Sequence, residues 1–399
     1  MLGAIYIGLS GMNAYSKGLQ TISNNVANLN SPGFKATSIN FTDVFNYGGG
    51  GLTYSSSTDA QQAGNGVRYG EPRIDFGQGD LRQSDGDLDL AIQGNGFLVL
   101  LDGDKTYYAR TGQFIVDEDG FISLQGTKYH LAVLDGSRQP VSLNLDAKRT
   151  SAPKPTTTVK FADNLSVSGT EAIVSNIAVY DSRGAKQVWQ VKLTAVGSTA
   201  PGQWTVNITD QTGRTVGTPP PPVLKFIGST VDPSTTKLTI TDTPLGADPL
   251  SVVLDFSEIT SFSSGTTSTL RAASVDGNGV GALTSVTIDE KGQVKLTYSN
   301  AKTELLGAVA LADFRDPQQL QRVGNGLFEN RGGGEYRLLA SASDGIGKLV
   351  SKQVEASNVD LSQEFGDLIL IQRGFQASSQ VVSISNDMIQ QLFGIRGQG

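Results

Sequence analysis

The chain of 399 residues has no cysteine, which excludes a disulfide framework and any thiolate metal site. It has one histidine, His130, set among apolar neighbours in Tyr129-His130-Leu131, where a structural side chain is expected rather than a general base. One histidine without cysteine supports neither a Ser-His-Asp arrangement nor a zinc centre. No pair of carboxylates stands out as the acid and base of a polysaccharide-acting enzyme. Charged residues are only 17% of the chain, the net charge is −7, and there is no basic run; a nucleic-acid surface needs clustered Lys and Arg. No apolar run approaches the roughly 20 residues that span a bilayer. The opening Met1 to Leu9 is apolar but has no positive flank, the first cation being Lys17, so export without a cleaved Sec signal is the expectation. Nor does the stretch through Thr42, free of Asp and Glu, offer the several cations of a membrane-lying helix.

Two short strings imitate ligand-binding loops and fail on their own residues. Asp85, Asp87 and Asp89 have the opening spacing of a calcium loop, but Leu90 stands where that loop turns on glycine. Gly345-Ile346-Gly347-Lys348 resembles a phosphate loop, yet Ala342 replaces the leading glycine and Leu349 the hydroxyl that would hold magnesium. No catalytic residue, cofactor or metal is therefore assigned.

What is present is concentrated at the two ends. Met12, Tyr15, Leu19, Ile22, Val26 and Leu29 recur at spacings of three and four, the stripe of a helix that Pro32 and Gly33 stop near Leu29 to Ser31. Leu368, Ile371, Phe375, Val382, Ile389 and Leu392 repeat the pattern, with Ser378 and Ser385 in the same seam. Asn358 or Asp360 supplies the cap of that second helix, Glu364 its early negative charge, and Gly394 and Gly397 its fraying end. Burying six seam residues does not offset the entropy of ordering some two dozen, so both ends are expected to be weakly structured in a free monomer and to fold against each other and against further subunits.

Between the ends, 48 glycines and abundant Ser and Thr suit a turn-rich β protein. After Phe34 a connector over 35–70 includes Gly48 to Gly51 and Ser55 to Ser57. Leu88, Leu90 and Ile92 alternate, and Gly94-Asn95-Gly96 turns the chain into Phe97 to Leu101, read as a hairpin. Turns at Asp102-Gly103, Asp119-Gly120 and Asp135-Gly136 follow. Thr150 to Thr158 reads as a linker, and alternation resumes around Ile177 to Tyr180, Val188 to Leu193 and Trp204 to Ile208. Ser261 to Thr269 reads as a return linker, and strands at Gln293 to Tyr298 and Leu306 to Leu311 complete the first β domain. The expected fold is mixed and mainly β: nested β domains flanked by terminal α-helices that pair in a coiled-coil-like layer. Its parts are 1–34 with 358–399, 35–70, 71–149 with 270–357, and an inserted domain at 150–269.

The same ends carry a family resemblance. Ser10-Gly11-Met12, then Ile22-Ser23-Asn24-Asn25-Val26-Ala27-Asn28 running into Ser31-Pro32-Gly33-Phe34-Lys35, resembles the N-terminal signature of bacterial flagellar rod and hook proteins. Leu88 to Phe97, Tyr108-Ala109-Arg110-Thr111-Gly112-Gln113-Phe114, Glu355 to Leu361 with its Asn358 and Asp360, and Gln372-Arg373-Gly374-Phe375-Gln376-Ala377 agree with the hook branch. Ala109 and Phe375 depart from the commoner Thr and Tyr. The resemblance covers about half the chain and not the segment from 150 to 270. That segment separates the hook branch from the shorter distal rod proteins.

The resemblance implies a non-enzymatic subunit that leaves the cell through the flagellar type III export machinery and polymerises with itself into a short curved tube. The tube would carry torque from rod to filament, acting as a universal joint. It would meet rod, hook cap and hook-filament junction proteins, outside the cell, with no nucleic acid and no membrane insertion. The terminal seams would form its inner layer, while the connector and the linkers near Pro153 and Ser263 would let outer domains shift. The resemblance also leaves a distal rod subunit of the same family, and the Thr-rich β domains and low charge leave an extracellular β-rich binding module whose terminal helices would be dispensable.

Overall fold

The computed structural model describes residues 2–45, 64–197, 200–243 and 248–396. The Gly48 to Gly51 and Ser55 to Ser57 runs and Gly397 lie outside the described residues. Strands dominate, with one long helix at each end: α1 over Leu2–Ala27 and α2 over Leu361–Arg396. The first helix ends slightly before the expected Leu29: beyond Ala27 the backbone tightens to bonds three residues back, with Leu29 N–H donating to Val26 O at 3.2 Å and Ser31 N–H to Asn28 O at 3.1 Å, and the Asn28 side-chain amide donates to the Asn24 carbonyl at 2.9 Å. Of the two candidate caps for α2, Asp360 is used; its Oδ1 accepts from the Ser362 and Gln363 backbone N–H groups at 2.8 and 3.2 Å. Gly394 does not end α2, which continues through it to Arg396.

The chain divides into two compact units, one of Met1–Asp146, Val286–Lys295 and Leu305–Gly399, the other of Ala147–Ser285 and Leu296–Glu304. In the first, a sheet runs in the order Gln321–Gly324, Leu327–Glu329, Lys105–Ala109, Phe97–Asp102, His130–Leu134, Ile122–Leu124, Thr111–Val116, Asp89–Gln93 and Lys348–Ser351. The three Asp-Gly turns join antiparallel neighbours as expected.

The expected hairpin at Gly94-Asn95-Gly96 is absent. Asp89–Gln93 pairs with Thr111–Val116 and Lys348–Ser351, and Phe97–Asp102 pairs elsewhere. Three residues reach at most about 14 Å between these strands, whereas four strand spacings in a flat sheet cover about 19 Å. The sheet must therefore curl, which buries Leu90, Ala91 and Ile92 on both faces instead of one. Phe97 sits inside the curl, with Phe76, Phe314 and Phe328 at centroid distances of 5.5, 5.7 and 6.0 Å. The Gly345-Ile346-Gly347-Lys348 string closes the sheet end: Gly347 N–H donates to Asn95 O at 2.8 Å, and a Cβ there would stand 2.5 Å from Gln93 O.

In the second unit a sheet runs Glu171–Tyr180, Lys186–Ala195, Gln203–Asp210, Val223–Ile227, Thr230–Val231, Leu250–Thr260, Thr158–Asn164 and Arg271–Val275. Trp189, Val191 and Leu193 alternate inward and meet Trp204, Val206 and Ile208 in one core. This unit extends beyond the expected return near 269, because Arg271–Val275 pairs with Thr158–Asn164. Thr150–Ser151, expected within a linker, pairs with Gly281 and Ala282.

Gly347→Ala is expected to destabilise the first unit by about 1–3 kcal/mol. In urea titrations the far-UV signal of α1 and α2 should fall at lower urea. The fluorescence of Trp189 and Trp204, the two tryptophans of the chain and both in the second unit, should keep its midpoint.

Candidate assembly site: the helix pair and its polar junction

The helices α1 and α2 pack antiparallel within the first unit, with Gly8 beside Val382 and Ser378, Gly18 beside Ile371, and Asn25 bonded to Glu364. Their approach is closer than a leucine seam allows. A Cβ on Gly8 would lie 2.6 Å from Val382 Cγ2, one on Gly11 2.6 Å from Ser378 Oγ, and one on Gly18 2.7 Å from Ile371 Cδ1. On α2, Gly374 makes the same room for the Tyr15 ring. The inner face of α1 is thus Gly8, Gly11, Ala14, Gly18 and Ile22, spaced by three and four.

The seam read from large residues is only partly the one used between the helices. Ile22 and Ile371 are buried; Met12, Tyr15, Val26, Leu29, Leu368, Val382 and Ile389 are half-buried. Leu19, Phe375 and Leu392 are exposed. In a helix pair this close the glycines mark the contact, and the spacing of the large side chains does not reveal it. Tyr15 meets Phe41 at 5.4 Å, and Phe41 meets Tyr69 at 6.3 Å, bringing the hairpin of Phe41–Phe45 and Gly64–Tyr69 onto α1.

Several of the signature residues do something different: Asn25, Gly33, Phe34 and Asn358 join the helix ends to the strands and loops beside them. Asn25 is buried and reads Thr37 like a neighbouring strand, donating to its carbonyl at 2.9 Å and accepting from its N–H at 3.0 Å, while also donating to Glu364 Oε1 at 2.8 Å. Asn358 accepts from Ala36 N–H at 2.7 Å and donates to the Asp75 and Gly77 carbonyls at 2.9 and 3.0 Å. Asn28 accepts from Ser31 Oγ at 3.1 Å, shaping the turn into Pro32. Gly33 takes a φ of 68° that favours glycine, and its N–H donates to Glu355 O at 2.7 Å. Arg322 stacks 4.6 Å from the Phe34 ring centroid and donates to Lys35 O. Gln372 and Arg373 are exposed on α2.

At the centre of this junction three charges are buried together. Lys35 Nζ donates to Glu355 Oε1 at 2.5 Å and to Gly77 O at 2.8 Å; Arg110 Nε donates to Glu355 Oε2 at 3.1 Å. Arg110 also ties the chain crossing by donating from Nη1 to Gly96 O at 2.5 Å and from Nη2 to Gly94 O at 2.6 Å. The Lys35 and Glu355 side chains have no exposed surface. Burial pushes the Lys35 ammonium below its usual range, against the opposing pull of Glu355. Burial raises the Glu364 carboxyl, partly offset by the Asn25 hydrogen bond and reinforced by Asp367. Lys35, Arg110 and Glu355 stood in the quoted motifs, but nothing in their spacing signalled a shared site across 245 and 320 residues of chain.

His130 has a structural setting. Its Nδ1 lies 2.8 Å from Ser123 Oγ, which donates to Asp117 Oδ2 at 2.5 Å, and its ring stacks 4.5 Å from Phe121. Ser123 is buried and held by the carboxylate, so it is not presented to a substrate.

The chain is similar to known proteins at both ends and along its length. Residues 5–35 match the family described as flagella basal body rod protein, and residues 350–395 match the C-terminal family of flagellar basal body rod FlgEFG proteins. The chain is 27% identical to the flagellar hook protein FlgE of Borreliella burgdorferi over 99% of this chain and all of that one. It is 28% identical to the FlgE of Escherichia coli K12 over 97% of this chain and 98% of that one. In fold it is similar to the crystal structure of the Helicobacter pylori flagellar hook protein FlgE2, with a TM-score of 0.50 and 15% identity over 69% of this chain and all of that one.

Lys35→Met should cost about 3–5 kcal/mol, since it leaves Glu355 buried with one partner fewer. In a double-mutant cycle by urea denaturation, Lys35→Met with Glu355→Leu should cost at least about 1 kcal/mol less than the two single changes summed. For Glu364 the folded value lies above the ordinary one of 4.5. Its contribution to stability is therefore fully present below pH 4.5 and is lost as pH rises through the folded value. Comparison of melting temperatures across that window should show a smaller fall for Glu364→Gln than for the unmodified chain.

Proposed function

We infer that the chain belongs to the flagellar rod and hook proteins and is a structural subunit of the bacterial flagellar hook, where it assembles with copies of itself. The observation that carries this reading is the end-to-end match to hook proteins, supported by family signatures lying on the two packed termini. The segment from 150 to 269 favours the hook over the distal rod.

In this reading the subunit is exported through the type III apparatus and adds at the tip of a growing tube, outside the cell. The helix pairs form the inner layer and the β domains lie outside it. A heterologous contact between identical subunits yields an open helical polymer without any template for its length. Tube bending is accommodated by small shifts between β domains, each staying folded, and motor torque passes from rod to filament through the helix layer. Rod, hook cap and hook-filament junction proteins are the neighbours. The buried charge cluster keeps the helix pair from swivelling on its sheet, as a torque-carrying joint requires. We further propose that the seam residues Met12, Tyr15, Leu19, Ile22, Val26, Leu29, Leu368, Ile371, Phe375, Val382, Ile389 and Leu392 line the layer of assembled helices.

The test is electron microscopy and sedimentation of the full-length chain under high-salt assembly conditions, beside Gly8→Leu and Gly11→Leu, which force the helices apart. Tubes are expected from the unmodified chain and not from the variants, with tryptophan fluorescence unchanged in all three. A chain that stays monomeric in every form would favour a binding module instead.

A further inference from the structure

Each terminal helix carries a second apolar stripe that the first unit leaves open. On α2 it comprises Leu370, Ala377, Val381, Ile384, Met388 and Leu392, spaced by three, four and seven. Leu370 is 66% and Ile384 50% exposed, and Val381, Met388 and Leu392 are exposed as well. At 100° per residue this stripe lies about a quarter turn from the α2 face that packs on α1. On α1 the stripe is Ile5, Leu9, Met12, Ser16, Leu19 and Val26, likewise about a quarter turn from Gly8, Gly11 and Gly18. Leu9 and Leu19 are exposed, and Ile5, Met12 and Val26 are half-buried. The side of α1 opposite this stripe is taken by the hairpin, through Ser10 with Val67 and Thr21 with Tyr69.

Two geometric facts say what covers these stripes. Both run about 33 Å, twenty-two or so residues at 1.5 Å each, so one matches the other end to end. Because α1 and α2 are antiparallel right-handed helices, a quarter turn forward on α1 and a quarter turn backward on α2 point to opposite sides of the pair. One molecule cannot bring its own two stripes together; two molecules repeated in the same direction can.

We propose that the α2 stripe of one subunit is the docking surface for the α1 stripe of a second copy, antiparallel. Each subunit gives one stripe and receives the other, a contact that never closes on itself. This deepens the hook-subunit reading and rests on it. A seam of this length covers on the order of 300–400 Å² of each helix, at most half the about 800 Å² per partner of a stable pair. The contact therefore holds copies where it repeats along a polymer, and dilute chain stays monomeric.

The absence of cysteine makes the test clean. Full-length chains carrying Ser16→Cys together with Ala377→Cys, Val381→Cys or Ile384→Cys, which span about two helical turns, are assembled, checked for tubes by electron microscopy and oxidised. Ser16→Cys with Gln376→Cys, on the far face of α2, is the control. A ladder of disulfide-linked multimers from at least one of the three pairs and none from the control is expected. Tubes without a ladder, or an equal ladder from the control, overturn the stripe pairing and leave the hook reading standing. Failure of the unmodified chain to form tubes overturns both. Independently, Ile384→Asp should keep the far-UV spectrum of the unmodified chain and raise the concentration needed for assembly at least tenfold. A folded Ile384→Asp that assembles as readily as the unmodified chain also overturns the pairing.

Discussion

Lys35, Glu355 and Arg110 come from three distant points of the chain and are held out of water together. Desolvating any one of them alone costs several kcal/mol, so none of the three segments is stable in place without the others. Lys35 is anchored just beyond the turn that ends α1, Glu355 just before the cap of α2, and Arg110 holds the carbonyls of the Gly94 to Gly96 crossing. The position of the helix pair on its sheet, the closure of the sheet and the register of the two chain ends all follow from satisfying this cluster. An apolar cluster of the same volume would tolerate sliding. A lysine and an arginine sharing one carboxylate tolerate little, because each donor has a fixed acceptor.

The helix pair solves a different problem. Glycines on the inner face bring the two backbones close, which leaves the larger apolar side chains to face sideways and outward. In a monomer that is a liability. In the proposed assembly it divides the work: small residues pair the helices within a subunit, and large ones remain for contacts between subunits. The polar asparagines at the base, Asn25 and Asn358, substitute for strand neighbours and satisfy the Thr37 N–H and carbonyl and the Ala36 N–H where the chain passes from helix to sheet.

The mainly β character and the helix at each end were legible because they rest on local periodicity, turn chemistry and capping, which a few neighbouring residues determine. The use of Asp360 as cap and the three Asp-Gly turns are of this kind. The resemblance to flagellar rod and hook proteins was legible from motif strings, and the similarity to hook proteins over nearly the whole chain agrees with it. The Gly94-Asn95-Gly96 turn shows the limit. Its residues specify a change of direction, and the pairing on either side is set by which strands lie nearby in space.

By itself, the sequence determined the absence of thiol chemistry, the strand and helix periods, the helix ends to within a few residues, and the identity of the groups at the junction. Only the tertiary structure decided that Gly8, Gly11 and Gly18 are the contact face of α1, that Leu19 and Leu392 face away, and that Lys35 meets Glu355 and Arg110. The reason is range. Periods and caps are properties of adjacent residues, whereas the value of a glycine or a buried charge depends on what stands opposite it, and here the opposite group is hundreds of residues away along the chain.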